Sequence, residues 1–128
     1  MPRTTAATRP AKPDAPQARF RLRVTAGDVI AIGPGKIALL EAVARTGSIT
    51  TAAKSLDMSY RRAWMLLDEL NSQLKSPAVD SSKGGQHGGG TALTPVGERL
   101  VETYRRIETT AEKATATDMR ALVRLLNR

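Results

Sequence analysis

The constraint that settles most about this chain lies between Gly47 and Trp64, where two serine-led helical segments are separated by only three residues. Gly47 can end a preceding helix in the left-handed conformation, and Ser48 can cap the next by accepting a hydrogen bond from an early backbone N–H. The segment that follows carries Ile49, Ala52, Ala53 and Leu56 at three-to-four spacing, and its paired alanines let another helix approach closely. Asp57, Met58 and Ser59 then form a turn, with Ser59 placed to cap a longer helix running to about Lys75. On that helix Ala63, Trp64, Leu67, Leu70 and Leu74 recur at helical spacing, while Arg61, Met65, Asp68 and Ser72 make an outward row. The pattern is a helix, a tight turn and a second helix.

Tyr60, Arg61 and Arg62 fall in the first turn of the second helix, where a helix entering a DNA groove meets base edges and phosphates. The planar fork of arginine bonds guanine bidentately or grips phosphate. Ser59 and Tyr60 are expected to position phosphate, with Lys54 as a non-specific helper. The competing reading is an ordinary solvated face. Trp64, on the apolar stripe, is expected in the core, with Tyr60 half buried one turn before it.

A chain of 128 residues suits one domain with extensions. With no cysteine, disulfides and thiolate metal sites are excluded. No apolar run approaches membrane-spanning length, no signal-peptide segment is present, and a cytoplasmic location is expected. The net charge of +8 is unevenly spread, with six basic side chains and one acidic within residues 1–23. A basic arm suits a polyanion, since neutralising phosphates releases counterions, although it would also serve as a solubilising tail.

Residues 1–18, rich in Pro, Thr, Ala and Arg, form that arm and are expected to be disordered. Arg19 to Val24 alternate charged and apolar residues, which predicts a strand with one wet face. Asp28 to Ile32 are a candidate partner across a turn at Ala26 and Gly27. Pro34 then opens a helix reaching Thr46, with Ile37, Leu40, Val43 and Ala44 as its apolar stripe. Pro77 bars extension of the later helix. Residues 78–94 read as a hairpin with a Gly-rich tip, a wing on which Lys83 and His87 could meet phosphate. The tip lacks the spacing of a phosphate-binding loop, and one histidine without cysteine makes no persuasive metal site.

Thr94 and Pro95 cap and start the last helix, residues 95–128. One apolar stripe includes Leu100, Tyr104, Ile107 and Ala111, and a second includes Leu122 and Leu126. The low helix propensity of residues 114–117 predicts a bend near 115–117. So long an apolar face wants a partner, and a second copy of the same helix is the simplest one; the alternative is folding back on its own strands. The expected architecture is mainly α with a small β-sheet, a winged helix-turn-helix over residues 19–94 followed by a long dimerisation helix.

These residues resemble the DNA-binding domain of the ModE-type molybdate-responsive transcription regulators, a winged-helix group with a LysR-like helix-turn-helix. The likeness rests on Thr46 to Ile49, Ala52 to Lys54, Ser59 to Trp64, Leu70 and Asn71, and the Gly-rich wing ending at Leu93, Thr94, Pro95, Val96 and Gly97. It covers roughly residues 20–110. Asp57 departs from it, standing where the group usually has glycine. No stretch corresponds to the pair of small β-barrel domains that bind molybdate in the complete regulators, so the resemblance does not license molybdate sensing here.

What the resemblance implies is a homodimer on a near-palindromic operator in double-stranded DNA, with molybdate-related genes as the field of control. The alternative from another class is an interaction protein that pairs its terminal helices with a full-length ModE-type regulator. No cofactor is expected. No nucleophile stands with a base and no carboxylates pair at a useful spacing, so an enzyme is not expected.

Overall fold

A computed structural model describes residues 15–81 and 90–127. Most of the expected arm, and Lys83 and His87 of the expected wing tip, lie outside the described residues. Of the described residues, 21–81 and 90–110 belong to one compact unit, and 15–20 and 111–127 to another.

In the first unit a hairpin pairs β1 (Val24–Ala26) antiparallel with β2 (Val29–Ile32). Thr25 faces Ile30 and Ala26 faces Val29, so Gly27 and Asp28 are the two-residue turn, and Gly27 takes φ +63°, the sign a mirror-image hairpin turn needs. The ladder is shorter than the alternation from Arg19 predicts. Gly33 and Pro34 end β2 opposite Val24, and the residues before Val24 have no strand to pair with.

Three helices follow: α1 (Pro34–Thr46), α2 (Ile49–Ser55) and α3 (Tyr60–Gln73). Pro34 occupies the first helical position of α1, where its missing N–H costs least, and Gly47 ends the helix at φ 74°. Thr51 donates its N–H to Ser48 Oγ at 3.1 Å, and Arg62 donates its N–H to Ser59 Oγ at 3.1 Å. Both caps predicted from the sequence are therefore formed.

The exit from α2 closes with Met58 N–H on Ala53 O and Asp57 N–H on Lys54 O, the paired bonds of a Schellman ending. That ending puts its left-handed residue at Asp57, whose φ is 60°. A side chain there costs more than glycine. Asp57→Gly is expected to stabilise the fold by about 0.5–1 kcal/mol, read as a higher denaturant midpoint, because relief of the left-handed strain exceeds the added freedom of the unfolded chain.

The core of this unit is Ile37, Leu39, Leu40 and Val43 of α1, Ala52 and Ala53 of α2, and Ala63, Leu67 and Leu70 of α3. Two positions on α1 differ from expectation: Ala44 is exposed, whereas Leu39 and Ala42 are buried. Helix α1 meets both other helices and the wing strand, so its buried arc is wider than one stripe.

The wing pairs β3 (Val79–Asp80) antiparallel with β4 (Ala92–Leu93). Its root is bound on every side. Ala78 donates its N–H to Asn71 Oδ1 at 2.8 Å, and Ala78 O accepts Thr94 N–H at 2.9 Å. Thr94 Oγ1 donates to Pro77 O and accepts Gly97 N–H. Asn71, Thr94 and Gly97 thus share one task, fixing the wing against the end of α3.

Helix α4 (Pro95–Arg124) runs unbroken through residues 114–117, where a bend was predicted; Thr115 Oγ1 bonds back to Ala111 O within the helix. Tyr104, expected on the dimer face, is instead 3% exposed and donates its hydroxyl to Leu22 O at 2.7 Å. A side chain so enclosed has no surface to give a partner. Leu100 also packs against the core, and burial pushes the Tyr104 hydroxyl pKa up.

Arg105 grips Glu41 of α1 with two bonds of 2.8 and 2.7 Å and reaches Glu108 at 2.6 Å. The hydrogen bond from Arg105 holds the Glu41 carboxyl below its ordinary range, burial opposing the shift. A depressed folded pKa contributes stability above the unfolded value, lost as pH falls through the folded one. Wild type is therefore expected to exceed Arg105→Ala by about 1 kcal/mol at neutral pH, a modest figure because both partners are partly solvated. That gap should close as pH falls below the ordinary carboxylate range, as urea unfolding of the two proteins across pH would read.

In the second unit, Phe20 and Pro16 border an open groove with Ala116, Met119 and Val123 of α4. Leu122, Leu125 and Leu126 are exposed at 61%, 81% and 53%.

Candidate nucleic-acid interface

The site is built from the exit of α2 and the entry of α3, two elements joined by the Asp57 turn and locked by shared alanines. Ala53 and Ala63 are 1% and 0% exposed, so no bulk holds the two helices apart. The packing aims the first turn of α3 outward. Ser59, Tyr60, Arg61 and Arg62 are all exposed there, as is Lys54 at the end of α2.

Electrostatics single out the arginines. Helix N-termini carry partial positive charge and favour acids. The first turn of α3 holds no acid and two arginines, and among the described residues neither arginine has an ion-pair partner. The arrangement works against the stability of the isolated helix. It suits an anion brought from outside, because the orphan N–H groups and both guanidinium groups then act together. Arg105, spent on Glu41 and Glu108, has no such freedom.

Asp68 and Glu69 lie two turns further along α3. Glu69 is occupied by Lys36, which is only 5% exposed and donates to Ile30 O and Glu69 Oε1, the latter at 2.7 Å. Lys36 thereby ties α3 to β2 and α1. Burial of this lysine has no signal in the sequence, since its acceptors come from two distant segments, the carbonyls of Ile30 and Ala31 in β2 and the Glu69 carboxylate of α3.

Trp64 corrects the sequence reading: it is 48% exposed, not core. Successive helical residues are about 100° apart, and the buried arc centres on Ala63, Leu67 and Leu70, leaving Trp64 on its edge. Tyr60 at 53% and Met65 at 53% are exposed on the same helix. Arg61, Arg62 and Met65 border one open depression with Ser59, Leu66 and Glu69. The sequence reading named the arginines but assigned no role to these apolar neighbours. Their signal was available in part, for Met65 already fell in the outward row with Arg61.

Among the described residues, no group of three His, Cys, Asp or Glu is placed to hold a metal ion, and no helix is long and apolar enough to cross a membrane.

Comparison with known proteins agrees with this fold. The model of the bacterial regulatory helix-turn-helix proteins of the lysR family matches residues 35–98. The molybdenum-pterin-binding protein MopB of Rhodobacter capsulatus is 44% identical over 77 residues, 60% of this chain and 28% of that protein. The DNA-binding transcriptional dual regulator ModE of Escherichia coli K12 is 34% identical over 98 residues, 77% of this chain and 37% of that one. The chain thus spans about a third of the length of these relatives or less. Among solved structures, the crystal structure of the CbnR_DBD–DNA complex superposes with a TM-score of 0.55 at 25% identity, covering 69% of this chain and 95% of that one.

Proposed function

Because the chain belongs to the LysR family of bacterial regulatory helix-turn-helix proteins, with a helix-turn-helix of the ModE type, we propose that it binds operator DNA as a homodimer. The observation that carries this reading is the first turn of α3, where Arg61 and Arg62 stand exposed at the positive end of a helix with no ion-pair partner among the described residues. In this reading α3 enters the major groove, Arg61 and Arg62 bond base edges, and Ser59 and Tyr60 hold phosphate. Lys54 adds non-specific attraction. The exposed Leu122 and Leu126 of α4, with Ile107, support pairing of two copies through their last helices. Two-fold pairing makes the operator near-palindromic. The relatives' names make genes of molybdenum handling the first targets to test.

The deciding experiment is selection of random duplex DNA by the purified protein at physiological salt, where non-specific phosphate binding is weak. The expected result is an inverted repeat with half-sites about one helical turn apart or a multiple of that. Enrichment of a single half-site would remove the dimer and keep the DNA reading. No enrichment by the folded protein would remove both.

A further inference from the structure

The exposed apolar side chains of α3 have no task in the fold. Trp64 is half solvated, and its indole N–H has no hydrogen-bond partner among the described residues. Met65, one residue on, is equally exposed. Large apolar groups scattered singly on a surface need no explanation, but here two lie on the helix that opens with Arg61 and Arg62, which have no ion-pair partner among the described residues. Trp64 lies one turn beyond Tyr60 at the edge of the buried arc, and Met65 one turn beyond Arg61 on the face that α3 turns away from its core, so both continue exposed rows that begin in the first turn. The major groove offers one apolar feature to such groups, the 5-methyl of thymine.

We propose that Trp64 and Met65 read thymine methyl groups in the operator half-site, next to the positions read by Arg61 and Arg62. This rests on the DNA reading above and adds to it the chemical class of base selected. Arginine accounts for guanine and for phosphate. It makes no use of the thymine methyl, whereas an apolar side chain packs against it.

The test uses the duplex recovered by selection with the wild-type protein, prepared with thymine and again with deoxyuridine at the thymine positions of each half-site, which removes only the methyl groups. Wild type is expected to bind the deoxyuridine duplex about fourfold more weakly for each methyl group an apolar side chain covers. Trp64→Ala with Met65→Ala should bind both duplexes equally. Because both residues are exposed, the double variant should keep its circular dichroism, and the wild-type comparison needs no variant at all. A recovered operator without thymine in its half-sites, equal wild-type binding to the two duplexes, or an undiminished preference for thymine in the double variant would each overturn the inference while leaving DNA binding intact. Failure to recover any duplex would overturn the DNA reading and this inference together.

Discussion

Replacing Gly97 by alanine is expected to destabilise the protein by about 3 kcal/mol, near the upper end of what forced overpacking costs. A Cβ built at Gly97 would lie 2.2 Å from Ala78 O, a backbone atom that cannot rotate aside. That carbonyl is pinned, because it accepts Thr94 N–H while the Ala78 N–H is held by Asn71. Helix propensity argues the other way, since alanine in a helix is preferred to glycine by about 1 kcal/mol. The two effects differ in sign, and the contact is the larger. Gly35→Ala is the control: Gly35 lies in the first turn of α1 with nothing near its would-be Cβ, and it should be neutral or mildly stabilising. Urea unfolding of the two variants would decide the matter, and an unchanged midpoint for Gly97→Ala would show that the wing root is not held as described.

The second large effect concerns binding rather than stability. Arg61→Ala with Arg62→Ala is expected to weaken operator binding by about 2–4 kcal/mol, roughly 30- to 700-fold, if both read bases. A guanidinium that only touches phosphate would contribute less, and its removal would lower the salt dependence by about one unit per contact. Fluorescence anisotropy across a salt series separates these cases. The fold should not suffer. Neither side chain is paired among the described residues, and withdrawing two cations from a helix N-terminus favours the helix by a few tenths of a kcal/mol. A variant that binds as well as wild type would end the assignment of α3 as the reading helix.

Local chemistry made the elements legible before the structure. Ser48, Ser59 and Thr94 each signal a helix start through one side-chain oxygen, Pro34 signals another through a missing N–H, and Gly47 signals a stop. Each effect operates within four residues, so the sequence carries it whole. The arginines of the candidate interface were legible for the same reason, being counted from the Ser59 cap. What escaped depends on distant partners. Lys36 looks like any surface lysine until the carbonyls of β2 and the Glu69 carboxylate arrive around it. Tyr104 lies on an apolar stripe, and that stripe is divided: near Tyr104 it closes on its own chain, whereas Leu122 and Leu126 remain open. Trp64 reads as core because it falls on the apolar stripe, and the geometry of the facing helices places it at the edge of that stripe.

The bond from Tyr104 to Leu22 spans 82 positions of the chain, whereas every helix cap closes within four. Closing a long loop costs more entropy than closing a short one, so the helices and hairpins form ahead of this contact. Interactions made after the folding barrier leave the forward rate nearly untouched and slow the reverse one. Removing the Tyr104 hydroxyl, as in Tyr104→Phe, is therefore expected to speed unfolding more than it slows folding, which the two arms of a denaturant chevron would read.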